Sequence, residues 1–320
     1  MHEVPAAPED VVEPSTGPVS EVERPQISVV IASVNGLPYP MDCLEALANQ
    51  EGGIRSEVIL ADCTGPATVR AVRERFPDVT VLAFDEQKSV PWLRSVGIQA
   101  ARASRVAVTE DHCVPRPDWL ARLLEASERT GWAAVGGGVE NDSTARVVDW
   151  AVYFCEYSSL ISPVPFGPTA TIPGMNVVYD MDQLAPVRDV FAEGLWENFL
   201  HDKLRAAGYV IGLDPSVVVG HKKRFTVRMF LAERYHYSRA FGGFRVKGAG
   251  IGRRLGWAAV MPALPALIVY RVARNVIARR RHIGWFVRGV PLVVLFSVMW
   301  TIGELVGYLR GPGDSLVKIR

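Results

Sequence analysis

The tightest constraint on this chain lies in residues 105–115, where an apolar β-branched run, Val106-Ala107-Val108, passes through Thr109 into Glu110, Asp111 and His112. A run such as Arg105 to Val108 reads as a strand covered on both faces, the kind found inside α/β sheets. In open α/β sheets ligands bind beyond the carboxyl ends of such strands. Glu110, Asp111 and His112 are therefore expected at the mouth of a cleft. Carboxylate oxygens and an imidazole nitrogen suit Mn²⁺ or Mg²⁺, the ions that accompany a diphosphate. Taken alone, the triplet serves equally well as a polar turn before a helix.

The flanking pattern supports an α/β reading. Ile27 to Ala32, Glu57 to Ala61 and Val79 to Phe84 are apolar runs, with helical patterns at Met41 to Ala48 and Val90 to Ala103. Pro117 to Ser127 opens with a proline suited to a first helical turn and carries Trp119, Leu120, Leu123 and Leu124 as a core face. Past Gly131 the alternation loosens. Ala133 to Val139 reads as a strand whose Gly136-Gly137-Gly138 permits close backbone approach, and Thr169 to Tyr179 as a loop and strand around Gly174 and Asn176. Glu197 to Ala207 is expected as a helix and Gly208 to Ile211 as the strand after it.

Composition narrows the function. A net charge of +1 argues against a protein that binds nucleic acid over a wide face. Cys43, Cys63, Cys113 and Cys155 show no CxxC pairing, which points to neither a zinc knuckle nor a disulfide framework and fits a reducing, cytoplasmic setting. Residues 1–25, rich in Pro, Glu, Val and Ser, lack the order of a signal peptide and read as a disordered leader.

The character changes after Arg224. Phe225 to Phe244, within a basic segment at 225–254, is aromatic and basic and is expected to form an amphipathic surface helix. Residues 255–320 follow as a membrane-associated region, with apolar runs at Leu255 to Ala273 and Gly289 to Leu309. Each approaches the roughly 20 residues that cross a hydrocarbon core; buried core helices are the alternative. The arginines between the runs sit badly in a plain two-span hairpin with a cytoplasmic catalytic domain, which would put them outside. Interfacial or re-entrant helices avoid that conflict.

Asp62 ends the second apolar run, where a carboxylate can accept hydrogen bonds from a base N–H or a ribose hydroxyl. Together with Ile27 to Gly36, Arg94-Ser95-Val96-Gly97 and the Glu110 to His112 triplet, its order and spacing resemble the family 2 glycosyltransferases over residues 26 to about 240. The resemblance implies an α/β GT-A nucleotide-diphospho-sugar transferase fold at 26–224, with a mostly parallel central sheet flanked by helices, plus C-terminal apolar helices. It implies that Ser33, Asn35 and Asp62 hold the nucleoside, that Arg94 lines the donor site, and that Asp111 faces the nucleotide or the fold. Glu110 and His112 fall on the two aspartates of the family's metal-binding motif, so the acid-acid-histidine triplet departs from the pattern. Mn²⁺ or Mg²⁺ held by Glu110 and His112, and a metal-independent site with His112 on phosphate, both follow from it.

The segment Leu195 to Tyr209 resembles the family's acceptor half, in which an acidic pair opens a helix ending in Ala-Gly-Tyr. Counting back from Ala207-Gly208-Tyr209 puts Glu197 on the catalytic aspartate and Trp196 on the acid before it. Glu197 is then the base that takes the acceptor's proton; a helix-capping role is the alternative, with Asp202 and Glu193 as other candidate acids. By the same resemblance His221 completes a metal shell, and Gly174 and Asn176 border the acceptor. Lys222 and Arg224, with Lys223 between them, face the departing diphosphate or anionic lipid headgroups.

The reading is an inverting transferase that moves a sugar from a nucleotide-diphosphate donor to a lipid-linked or membrane glycan acceptor, at the cytoplasmic face of the cytoplasmic membrane and in contact with membrane lipids. Alternatives are transfer to a polyprenyl phosphate, a sugar nucleotidyltransferase, and a non-catalytic membrane scaffold with a degenerate nucleotide site.

Overall fold

The computed structural model describes residues 24–319. The leader expected at 1–25 lies almost wholly outside the described residues. The first half alternates strand and helix: β1 (Ile27–Ser33), α1 (Tyr39–Ala48), β2 (Ser56–Asp62), α2 (Pro66–Arg75), β3 (Thr80–Ala83), α3 (Val90–Ala100) and β4 (Arg105–Glu110). These four strands pair in parallel in the order β3-β2-β1-β4. Parallel neighbours need helical crossovers that cover the sheet, which is why β1 is buried at every residue. Register then does functional work. Ser33 pairs with Asp62 and Ala32 with Glu110, so the polar ends of β1, β2 and β4 emerge level with one another.

The second half continues with β5 (Cys113–Pro115), α4 (Trp119–Thr130), β6 (Ala134–Asn141), α5 (Val147–Tyr157), β7 (Gly167–Pro168), β8 (Val177–Asp180), α6 (Asp189–Ala192), α7 (Glu197–Ala206) and β9 (Ile211–His221). β8 lies antiparallel between β4 and β6, β9 runs parallel to β6, and β5 and β7 pair antiparallel with β9. One core, with Leu44, Trp119 and Leu123, fills the α1–α4 face of the sheet. A second, with Ile98, Leu200 and Leu204, fills the α3–α7 face. Gly208 to Val210, expected as strand, instead turns the chain; β9 begins at Ile211 and runs longer than the short apolar pattern indicated.

The C-terminal third differs most from expectation. α8 (Val227–Arg245), α9 (Ile251–Ala259), α10 (Leu264–Arg279) and α11 (Ile283–Arg310) pack onto the α/β domain. α8 is not a surface helix: Phe230, Arg234, Ser238, Ala240, Gly242 and Gly243 are buried, because α11 lies along it in the same direction, from Phe296 beside Phe230 to Gly307 beside Arg239. Phe230 meets Phe296 edge-on with centroids 4.6 Å apart. Gly303 and Gly307 let the backbones touch; a Cβ at either would stand 2.4 Å from a carbonyl oxygen, of Tyr235 or Arg239 respectively. The first apolar run breaks at Met261–Ala263, where Pro262 opens a 3₁₀ turn between α9 and α10.

The pairing of β6 with β9 slips between Gly136 and Gly138. At Gly137 a Cβ would lie 1.9 Å from the carbonyl oxygen of Val217, a backbone atom with no rotamer to yield. Gly137→Ala is therefore expected to lower the free energy of unfolding by about 1–3 kcal/mol, as overpacking of a filled interior does; urea denaturation of the two proteins measures it.

Candidate active site at the carboxyl ends of the strands

Asp111 joins the ends of β1 and β4. It is fully buried, and its carboxylate accepts hydrogen bonds from the Val34 and Asn35 backbone N–H groups at 3.0 and 2.8 Å and from the Asn35 side-chain amide at 2.7 Å. The His112 Nδ1 lies 3.0 Å away and donates to the same carboxylate. Burial opposes ionisation of Asp111, but the bonds from His112 and Asn35 prevail and hold its carboxyl below the ordinary range. Of the two expected placements, towards the nucleotide or the fold, these bonds are to the fold: Asp111 fixes the loop that carries Val34 and Asn35. Asp62, at the end of β2, accepts from the Ser33 hydroxyl at 2.6 Å and from the Thr64 N–H at 2.9 Å. Beside it opens a cavity of about 510 Å³ lined by Gly65, Arg70, Arg73, Phe84 and Asp85 among others.

Arg94 occupies the centre. Ser89 caps α3 by accepting from the Trp92 N–H, and the first turns of that helix deliver Arg94 inward to 8% exposure. Its guanidinium bonds Glu110 of β4 through one nitrogen and Glu197 of α7, at 3.0 Å, through another. Burial disfavours the guanidinium's charge, yet the two carboxylates outweigh it and raise the Arg94 pKa further. Glu197 opens α7, where the helix dipole favours an anion. Gly174 forms the wall opposite: a Cβ there would sit 2.4 Å from Arg94 Nη1. Trp196 lies buried under the guanidinium and against Tyr237 of α8.

His112 turns its Nε2 toward Glu110 Oε2, 3.3 Å away. With Nδ1 turned to Asp111, Nε2 and a Glu110 carboxylate oxygen face one another, an imidazole nitrogen and a carboxylate oxygen side by side at the end of β4. His221 arrives through the β5–β9 pairing, which sets it opposite Cys113. It meets the His112 ring edge-on at 4.8 Å, and burial, then His112 and Lys223, push its pKa well below the ordinary value. Among the described residues no three His, Cys, Asp or Glu side chains are placed together to hold a metal ion. Of the three expected ligands, Glu110 and His112 face one another and His221 packs as a neutral ring beside His112.

Other expected acceptor-side residues separate. Asn176 is fully buried, accepting from Trp119 Nε1 at 2.7 Å and donating to the Gly138 carbonyl at 2.9 Å, so it braces the sheet and does not border an acceptor. Lys222 points outward to Asp42 at 2.9 Å, and Arg224 is exposed. Lys223, which the sequence reading grouped with its two neighbours, is the one that turns in, 5% exposed and 3.8 Å from Glu233. The alternation of an extended chain was the available clue. Glu233 of α8, Glu156 of α5 and Arg234 complete this second buried group, with Arg234 3.7 Å from Glu156. Desolvation raises the pKa of Glu156 and carries that of Glu233 up to about 7. Asp202 is exposed beside Arg205, and Glu193 is tied to Lys203, which leaves Glu197 as the acid of this segment nearest the centre.

A mostly parallel sheet with a polar cleft at its carboxyl edge, bearing a buried arginine between two acids, is the GT-A type of nucleotide-diphospho-sugar transferase fold. Residues 28–182 match the family model described as Glycosyl transferase family 2, and the chain carries a family 2 glycosyltransferase domain. It is 31% identical over 110 residues to the "Succinoglycan biosynthesis protein ExoO" of Rhizobium meliloti, covering 33% of this chain and 31% of that protein. It is 27% identical over 121 residues to "Glycosyltransferase AglE" of Haloferax volcanii, covering 36% of this chain and 40% of that one. The chain thus spans only about a third of the length of the curated relatives it matches. Among solved structures it resembles the mannosyltransferase PcManGT of Pyrobaculum calidifontis in complex with GDP-Man and Mn²⁺. That likeness has a TM-score of 0.55 at 16% identity, over 90% of this chain and 88% of that one. Residues 1–349 of S. aureus TarS give a TM-score of 0.50 at 12% identity, over 85% and 90% of the two chains.

His201 of α7 anchors the floor of the site. Its Nδ1 accepts from the Ile172 N–H at 3.3 Å and its Nε2 lies 2.9 Å from the Tyr179 hydroxyl. Burial, with Arg94 nearby, lowers its pKa to about 3 from the ordinary 6.5. Between those values the unfolded chain binds a proton that the folded one refuses, so this contribution to stability is complete above pH 6.5 and is lost as pH falls toward 3. The slope from one such proton is about 1.4 kcal/mol per pH unit. Urea denaturation across pH 4 to 7 is expected to show a shallower acid loss in His201→Gln than in the parent; equal slopes would remove His201 as a source.

Proposed function

We propose that this chain is an inverting glycosyltransferase that moves a sugar from a nucleotide-diphosphate donor to a lipid-linked acceptor at the cytoplasmic face of a membrane. The observation that carries it is Arg94, buried between Glu110 and Glu197, which brings the acid of the donor half and the acid of the acceptor half onto one guanidinium. The nucleoside enters the cavity lined by Asp62, Gly65, Arg70 and Phe84, with Ser33 bonded to Asp62 and Asn35 on the neighbouring loop held by Asp111. The donor diphosphate meets Arg94, whose planar fork suits phosphate oxygens. Engaging a phosphate draws the guanidinium from Glu197 and frees a carboxylate oxygen.

Glu197 then accepts the proton of the acceptor hydroxyl as that oxygen forms its bond to the anomeric carbon. On the opposite side the bond from anomeric carbon to diphosphate oxygen breaks, and its electron pair leaves with the nucleoside diphosphate. The PcManGT complex with GDP-Man and Mn²⁺ supports a nucleotide-sugar donor and a metal. Mn²⁺ or Mg²⁺ would be held by Glu110 and His112, completing its shell with phosphate and water oxygens, and would supply charge neutralisation of the departing diphosphate. Two helical stretches at 251–279 and 283–310, long and apolar enough to cross a membrane, support a membrane setting and with it a lipid-linked acceptor.

Purified protein incubated with nucleotide sugars and Mn²⁺ is expected to release free nucleoside diphosphate. Formation of pyrophosphate from a nucleoside triphosphate and a sugar phosphate would instead identify a nucleotidyltransferase, and the absence of any nucleotide binding a scaffold. Glu197→Gln is expected to lower kcat by roughly 10²–10⁴-fold while donor affinity, measured by calorimetry, stays within about threefold; undiminished turnover would remove Glu197 from the role of base.

A further inference from the structure

α11 presents two faces with different fates. Its inner face, including Phe286, Gly289, Val293, Phe296, Gly303 and Gly307, is buried against α5, α8 and α10 over nearly the whole helix. Its outer face repeats apolar residues every three to four positions or multiples of that spacing: Ile283, Val287, Val294, Val298, Ile302 and Leu309 are 40–64% exposed. α9 buries no residue and exposes Ile251 and Leu255, and α10 exposes Leu267, Tyr270 and Ile277.

Charge identifies what covers this surface. From Lys247 to Arg310 the chain holds ten lysines and arginines and one acid, Glu304. Glu304 is itself buried and bonded to Arg245 at 3.0 Å, so it offers nothing to an approaching cation. A second copy of this chain would bring like charges together, whereas anionic lipid headgroups neutralise them.

Packing identifies the orientation. α8 accompanies α11 from the Phe230–Phe296 contact to the approach of Gly243 to Pro312. If α11 crossed a bilayer, α8 would descend with it and carry Glu233, Arg234, Arg239 and Arg245 into or beside hydrocarbon. Charged side chains at that depth are strongly disfavoured. We infer that α9, α10 and α11 lie in the plane of an anionic lipid leaflet as a monotopic platform, outer apolar residues among the acyl chains and arginines at the headgroups. This rests on the membrane setting proposed above and replaces a pair of spans with a surface-lying arrangement. The acceptor then reaches the cleft along the leaflet, past α8, which borders both.

The test adds the full-length protein to preformed vesicles of phosphatidylcholine, with and without phosphatidylglycerol, and reads binding by flotation. Binding is expected only to the anionic vesicles, and to weaken at least roughly a hundredfold when Arg253, Arg271, Arg274 and Arg288 are all changed to Gln. Fluorophores on Val287→Cys, Val294→Cys or Ile302→Cys, in a Cys155→Ser background, then report depth through lipid-borne quenchers. Equal shallow depths along α11 are the expected result. A maximum depth at Val294→Cys with shallow ends, equal binding to neutral vesicles, or a lipid-free dimer by light scattering that fails to bind vesicles would each overturn the inference. Release of nucleoside diphosphate is followed in parallel: binding without release would strike the transferase reading alone, and release without binding would strike the platform alone.

Discussion

The buried guanidinium of Arg94 is the constraint on which the site depends. An arginine side chain stays charged at any accessible pH, so removing it from water is tolerable only if fixed anions replace the solvent. Here one anion comes from the end of β4 and the other from the start of α7, 103 residues from Arg94 in sequence. The ion pairs therefore do more than neutralise charge. They require α3, β4 and α7 to converge, and they require the facing position to be glycine, because Gly174 leaves no room for a Cβ. Burying such a triad adds little to net stability against an apolar equivalent, so its value lies in holding the two acids in one place.

Much of this arrangement could be read from residue order. The buried strands β1, β2 and β4 announce themselves as β-branched apolar runs, and the polar residues that end them must share an edge once the strands are parallel. Asp62 and Glu110 were legible for that reason, as the ends of β2 and β4, whereas Arg94 and Glu197, on α3 and α7, were singled out by the resemblance of their segments. Asp111 was harder, because adjacent residues at a strand end point to opposite sides and sequence does not say which side is the cleft. The structure turns Asp111 toward the Val34–Asn35 loop and leaves Glu110 and His112 together. The same parity problem recurs in β9 and the turn after it, where Lys223 faces inward between two exposed basic neighbours.

Asn176 and α8 were misplaced for a different reason, since burial is a property of the assembled fold and both carry polar side chains that suggest a surface. Asn176 is buried because the Trp119 indole and the Gly138 carbonyl satisfy its amide. α8 is buried because α11, more than fifty residues later, covers it. Arg234 survives that burial through specific partners, facing Glu156 and stacking 4.1 Å from the Trp300 ring, while the exposed Arg245 bonds Glu304 and Tyr308. A hydropathy reading of α11 sees only that the helix is apolar. It cannot distinguish lipid on all sides from protein on one side and lipid on the other.

That distinction decides how the two ends of the molecule are related. α8 is fixed on one side by the cleft elements, through Tyr237 on Trp196 and Arg234 opposite Glu156, and on the other by backbone contact with α11 at Gly303 and Gly307. A helix held on opposite sides has little freedom to rotate or slide, because interiors at native density have two or more neighbours to displace with every shift. The outer surface of α11 and the residues at the cleft edge are consequently parts of one rigid layer. In the membrane setting proposed above, the plane that the apolar surface adopts would set the height of the cleft above it, and an acceptor held at fixed depth in that plane would meet Glu197 in a fixed geometry.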